Sequence, residues 1–163
     1  MKRSYKLAGI ITLIVVALDQ ATKAWILANI ILYTTHPVLP GFFNIVHVLN
    51  KGAAFGFLNR PDITWQTYLF FATTALAVVL ILHLLRAALQ EDTPLISGLG
   101  LILGGAIGNL IDRIRFGEVV DFLDFHYGEL HWPAFNVADI AITLGSVALL
   151  AAFLRARKAP PEE

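Results

Sequence analysis

Three segments in the last third of the chain, GNLIDR (108–113), VVDFLDF (119–125) and FNVAD (135–139), set aspartates and asparagines among otherwise apolar residues. Charged side chains at membrane depth are costly, so a run of carboxylates beside hydrophobic helices is by default a functional hypothesis. Asp121 and Asp139 stand out as a candidate catalytic pair. Two carboxylates a few ångströms apart cannot readily both ionise and therefore share a proton. The ionised member can take a proton from water while the protonated member donates to a carbonyl oxygen.

The composition narrows what can position such a pair. Of 163 residues, 57% are hydrophobic and only 15% charged, and the apolar surplus is concentrated in four blocks. A soluble domain of this size is nearer half apolar and a quarter charged, so the pattern argues for a membrane protein. The formal net charge is zero, and nothing suggests nucleic acid as a partner. There is no cysteine, which excludes disulfides, thiolate catalysis, cysteine-bound zinc and cysteine lipidation of this chain.

A helix rising ~1.5 Å per residue needs about 20 residues to cross a ~30 Å hydrocarbon core. Four windows qualify, at about 7–29, 64–86, 94–113 and 137–154. The expected fold is membrane all-α, a single integral membrane domain over 1–163 with four transmembrane helices. Lys2, Arg3 and Lys6 precede the first apolar run, but no small-x-small cleavage site directly follows it, so it reads as an uncleaved first helix. Pro94 is placed to start the third helix. The tail, about 157–163, is charged and proline-rich and is expected to be disordered.

Basic residues near the helix ends (Lys2, Arg3, Lys6, Arg86, Arg155, Arg157 and Lys158) would share one side, against Lys51, Arg60, Arg113 and Arg115 on the other. This bias puts both termini in the cytoplasm and turns segments 30–63 and 114–136 outward. Residues 42–49, after the turn signal Pro40-Gly41, and residues 119–125 are β-prone, while Tyr127, Trp132 and Phe135 suit an interface. A small β-rich element at the outer membrane surface follows.

Depth bookkeeping then gathers the polar residues. Asp19 lies roughly 18 Å up the first helix from Leu7, and Lys23 is one turn further at i+4, a spacing that suits an Asp–Lys pair. Asn109, Asp112 and Arg113 come near the outer end of the third span, and Asn136 and Asp139 begin the fourth. With Asp121, these residues share one outer layer. Gly100, Gly104 and Gly108 form a ridge without side chains, and span four has Ala138, Ala141, Gly145, Ala148 and Ala152 at comparable spacing. The ridges either pack the helices carrying Asn109 and Asp139 together or serve generic membrane packing.

Each motif also has a purely structural reading. Asn136 and Asp139, three apart at a helix start, resemble a capping box, which is compatible with holding a catalytic carboxylate. Asp112 near a helix C-terminus opposes the dipole, and a pair with Arg113 or Arg115 would offset it. In the functional version, Arg113 holds an anionic or carbonyl-rich ligand. Asp121, Asp124 and His126, with His47 or His131, could suggest a metal, but no ligand motif is present, and none is expected. In the loop 50–56, the glycines fit a turn or a close approach of backbone to substrate.

Taken together, LDQATK (18–23), NKGAAFGF (50–57), GGAIGNLIDR (104–113), VVDF (119–122) and FNVAD (135–139) resemble the lipoprotein signal peptidase (signal peptidase II) family, in family order and without departure at the motif positions. The resemblance implies an aspartic endopeptidase of the bacterial cytoplasmic membrane with its active site near the outer surface. Its substrate would be a diacylglyceryl-modified prolipoprotein, cleaved just before the lipidated cysteine. Carried over by motif, the catalytic pair is Asp121 and Asp139. Asp19, Lys23, Asn50, Gly52, Asn109, Asp112, Arg113 and Asn136 would bind substrate or support the site. The implied partners are the prolipoprotein, membrane lipid and globomycin-type inhibitors, with no cofactor. Asp124 lies outside the family's core pattern. The rivals are a small proton-coupled transporter, which Asp19 and Lys23 would suit as a relay, and a non-catalytic membrane assembly factor.

Overall fold

The computed structural model describes residues 3–52, 65–87 and 92–158. Among them, four helices and four strands follow the order α1 (Arg3–Asn29), β1 (Thr35–Leu39), β2 (Phe43–Asn50), α2 (Trp65–Ala87), α3 (Thr93–Phe116), β3 (Val119–Tyr127), β4 (Leu130–His131) and α4 (Val137–Lys158). All four helices are long and apolar enough to cross a membrane. Leu13, Val79, Leu80, Val147, Leu150 and Phe153 point outward from the bundle. Such a surface would be an aggregation liability in water and is what hydrocarbon requires. The fold is therefore the expected four-span bundle with a small sheet.

The third helix is the central post. A Cβ on Gly100 would lie 2.9 Å from the Ala8 carbonyl oxygen, and one on Gly104 would lie 2.7 Å from Val15 Cβ. The glycine ridge at 100, 104 and 108 thus receives mainly α1 rather than the α4 of the ridge-pairing expectation, and only Gly108 also reaches α4, where a Cβ would lie 3.4 Å from Ala138 Cβ. Contact with α4 runs chiefly through Gly98 and Gly105 on α3 and through Gly145 on α4, where backbone meets backbone. Spacing alone could not separate the two faces, because 98 and 105 lie seven apart and interleave with the four-residue series.

Helix ends follow local chemistry. Asp92 caps α3 by accepting from Leu95 N at 3.2 Å, so the helix begins one residue before Pro94. It runs three residues beyond Arg113, to where Gly117 adopts φ 76° and returns its N–H to the Arg113 carbonyl. A side chain is strained in that left-handed turn. Helix α4 continues through Lys158, past the expected start of the tail, and residues 159–163 lie outside the described residues. So do residues 53–64, including most of NKGAAFGF.

The sheet is antiparallel throughout, in the order β1-β2-β3-β4. Strands β1 and β2 form a hairpin around Gly41, whose φ is 80°. The first strand, THPVL, is exposed along its length and carries Pro37, which the sheet tolerates because β1 is an edge. Its lack of alternation explains why the sequence does not announce it. Ile26 at the end of α1 packs with Val120 and Phe122 of β3, anchoring the sheet on the bundle. Every strand connects helix ends at the same end of the bundle, so the polar residues of α1, α3 and α4 meet the sheet there.

Candidate active site

Asp121 sits near the start of β3, which leaves α3 after only Gly117 and Glu118. It is 2% exposed. Its Oδ1 accepts from Asn136 Nδ2 at 2.7 Å and its Oδ2 from Asn50 Nδ2 at 3.0 Å. Asn50 ends β2, the strand paired with β3, so the sheet register delivers this contact. Burial pushes the Asp121 carboxyl up to about 7, and the neighbouring Asp139 charge adds to the rise. The amides of Asn50 and Asn136 and the charge of Lys23 oppose it, since each favours the ionised form.

Asp139 lies in the first turn of α4. Its Oδ2 accepts from Asn136 N at 3.3 Å, while its own N–H donates to Asn136 Oδ1 at 3.0 Å. The capping box read from the Asn-x-x-Asp spacing is therefore present, in reciprocal form. Asp139 Oδ1 accepts from Asn109 Nδ2 at 2.9 Å. Asn136 consequently touches both aspartates, and it is fully buried. The helix cap and the tie between the two carboxyl groups are here the same residue.

Beneath this layer, Lys23 is 1% exposed, and its Nζ lies 2.9 Å from Asp19 Oδ2 and 2.8 Å from Asp112 Oδ2. The i+4 pair with Asp19 is as expected, but Asp112 turns to Lys23 rather than to Arg113 or Arg115. With α3 continuing to Phe116, Asp112 sits a turn inside the helix, where a cation from α1 can reach it. Its Oδ2 also accepts Val120 N at 3.1 Å, which ties the start of β3 to α3. Asp19 Oδ1 accepts from Ala138 N at 2.9 Å, satisfying a first-turn donor of α4 from across the bundle.

Arg113 points the other way. Its Nη2 donates to the Gly52 carbonyl at 2.7 Å, and the guanidinium lies 4.3 Å from the Phe70 ring centroid. Gly52 N in turn donates to Asn50 Oδ1 at 2.8 Å, so Arg113, Gly52, Asn50 and Asp121 form one chain of contacts. A cavity of about 530 Å³ opens beside them between α2, α3 and α4. Asn109, Arg113 and Asp139, with Thr73, Thr74 and Thr143, supply its polar lining, against Phe70, Ile102 and Ile142.

A match to the signal peptidase (SPase) II family model spans residues 11–155, a stretch that holds every residue of this site. The chain belongs to the signal peptidase II family. Similar proteins include the lipoprotein signal peptidase of Maridesulfovibrio salexigens, 56% identical over 93% of this chain and 97% of that protein. That of Oleidesulfovibrio alaskensis is 53% identical over 90% and 93%. A solved bacterial membrane enzyme superposes with a TM-score of 0.83 at 30% identity, covering 96% of this chain and 93% of that one. The signal peptidase II resemblance carried by the five motifs thus holds along the chain.

All ten residues singled out in the sequence converge on this end of the bundle. Gln20 was not among them, although it lies inside LDQATK. Its Nε2 reaches Asp112 Oδ1 at 3.0 Å and the Gly108 carbonyl at 3.2 Å. An amide directly after Asp19 within an otherwise apolar helix is the signal the sequence offers. The alternative metal set does not assemble among the described residues. Asp124 bonds Asn44 at 2.8 Å and pairs with His131, and His47 donates from Nδ1 to the Ile30 carbonyl.

Proposed function

We propose that this member of the signal peptidase II family is an aspartic endopeptidase that removes the signal peptide from diacylglyceryl-modified prolipoproteins. Cleavage falls just before the lipidated cysteine. The observation that carries the reading is the joint hold of Asn136 on Asp121 and Asp139, two carboxyl groups brought together from β3 and α4.

The pair holds one proton between its members, as the raised affinity of Asp121 favours. Water attacks the scissile carbonyl carbon, and the ionised carboxylate takes its proton while the protonated one donates to the carbonyl oxygen. Collapse of the tetrahedral intermediate breaks the C–N bond. A carboxyl group passes its proton to the departing cysteine nitrogen, leaving a signal-peptide carboxylate and a free amino terminus. Proton transfer of this kind contributes ~10²–10⁴-fold, and alignment by the surrounding amides supplies much of the remainder.

Placement in a bilayer supports the substrate. The cavity beside Asp139 is walled by apolar side chains of three candidate spans and would take acyl chains, while the polar layer at the sheet end meets water. The charge bias puts both termini in the cytoplasm and this layer at the outer face of the bacterial inner membrane. Globomycin-type peptides would compete for the same cleft. The deciding experiment measures cleavage of a diacylglyceryl prolipoprotein by Asp121→Asn and Asp139→Asn. Both are expected to be inactive yet folded, and turnover by either sinks the assignment.

A further inference from the structure

We propose that Lys23 is a positioning residue that fixes which end of the Asn109 amide faces Asp139. The inference rests on the reading of Asp121 and Asp139 as the catalytic pair. An ammonium group has three N–H donors and no acceptor. In this protein the three are matched by three oxygens: Asp19 Oδ2 at 2.9 Å, Asp112 Oδ2 at 2.8 Å and Asn109 Oδ1 at 2.9 Å. Only the oxygen end of Asn109 can meet such a group. Its Nδ2 is therefore turned to the other side, where it donates to Asp139 Oδ1 at 2.9 Å.

A flipped Asn109 would set two donors together at Lys23 and two acceptors together at Asp139. Both contacts would be lost in a buried site, where an unsatisfied polar group costs ~1–3 kcal/mol and more when charged. The consequence reaches the second aspartate. Asn109 Oδ1 also accepts from Asn136 Nδ2 at 3.2 Å, the same nitrogen that donates to Asp121. One oxygen, held by Lys23, thus orders the amides on both sides of the pair. Asp19 and Asp112 have the complementary task. They compensate the ammonium and aim it, and they are themselves held by Ala138 N and Val120 N.

The test is a double-mutant cycle in lipid-reconstituted protein with a synthetic diacylglyceryl lipobox peptide, combining Lys23→Met with Asn109→Ala. A misdirected group next to the reacting atoms can cost on the order of 10²-fold. Each single variant is therefore expected to lose about 10- to 100-fold in kcat with KM little changed. The double variant should fall little below the worse single one, because both remove the same contact to Asp139. Losses that multiply, or a Lys23→Met enzyme with a lower melting temperature and undiminished kcat, would overturn the proposal.

If Lys23→Met does not fold, the triple variant Asp19→Asn/Lys23→Met/Asp112→Asn removes the ion set without leaving an uncompensated charge. It should show the same kcat loss, and unchanged kcat would overturn the proposal. Asp139→Asn in the same assay separates the two claims. Turnover there refutes the catalytic pair, whereas an inactive Asp139→Asn beside multiplying losses refutes only the role of Lys23.

Discussion

Asn136 and Asp121 are joined by a 2.7 Å hydrogen bond from Nδ2 to Oδ1, and the other end of the same amide accepts the N–H of Asp139. A main-chain N–H can only donate, so the amide orientation is fixed without help from solvent. Replacing Asn136 with alanine removes the helix cap and the tie between the aspartates together. The cap alone is worth ~1 kcal/mol. Asn136→Ala should therefore melt a few degrees lower yet lose far more activity than that, by about 100-fold in kcat. A thermal scan beside a cleavage assay checks this. Equal residual activity and residual folded fraction would mean that the residue is only a cap.

The raised affinity of Asp121 gives pH dependence a definite sign. On the proposed mechanism the singly protonated pair is the working form, so kcat/KM should fall as pH rises through about 7. Asn50→Ala removes a bond that favours the ionised form and should move that limb upward. An unmoved limb would show that another group controls it.

Stability follows from the same shift. Between the ordinary value of 3.8 and about 7, folded protein holds a proton at Asp121 that the unfolded chain has lost, so stability declines as pH rises across that window. Asp121→Asn carries no charge to desolvate. It should melt above the parent protein at pH 8, with the difference shrinking toward pH 4. A constant difference would contradict the assignment.

Two glycines on helices make a matched comparison. A Cβ at Gly108 would stand 2.6 Å from Asp19 Oδ2, whereas at Gly9 nothing lies within 4 Å. Gly108→Ala should displace the Asp19 carboxylate from Ala138 N and Lys23, lowering both melting temperature and kcat, while Gly9→Ala leaves both unchanged. Equal behaviour of the two would show that α1 has room to retreat.

Asp124 and His131 form their own pair further along β3, beyond the bulge that interrupts the β2–β3 register. Asp124→Asn/His131→Ala should leave cleavage by the folded protein nearly unchanged, while losing buried hydrogen bonding at Asp124 lowers its melting temperature. Chelation with EDTA should likewise leave cleavage unchanged. A strong loss in either experiment would revive the metal reading.

The sequence carried the parts that depend on local patterns. About 20 apolar residues suffice to mark a span, and Asn-x-x-Asp before a helix marks a box. The i+4 step from Asp19 to Lys23 was legible for the same reason. The partner of Asp112 was not, because Lys23 is distant in sequence and only the packing of α1 on the glycine ridge brings them together. The direction of Arg113 was hidden similarly: Gly52 and Phe70 belong to other elements, and charge alone favoured its neighbour Asp112. Strand β1 escaped notice because an exposed edge containing Pro37 has no alternation to read.

The pairing of Asp19 with Lys23 inside one helix also bears on biogenesis. A lone charge at the centre of a membrane-inserting helix costs ~2.5–3.5 kcal/mol. Lys23 finds Asp19 one turn away within α1 itself, so a first span that enters the membrane before Asp112 and Asn109 are made would bring its own counter-ion. The segment can partition into lipid as an electrically balanced unit. In the finished fold α3 adds Asp112 and Asn109 to that same cation, so insertion of α1 need not wait for the site to assemble.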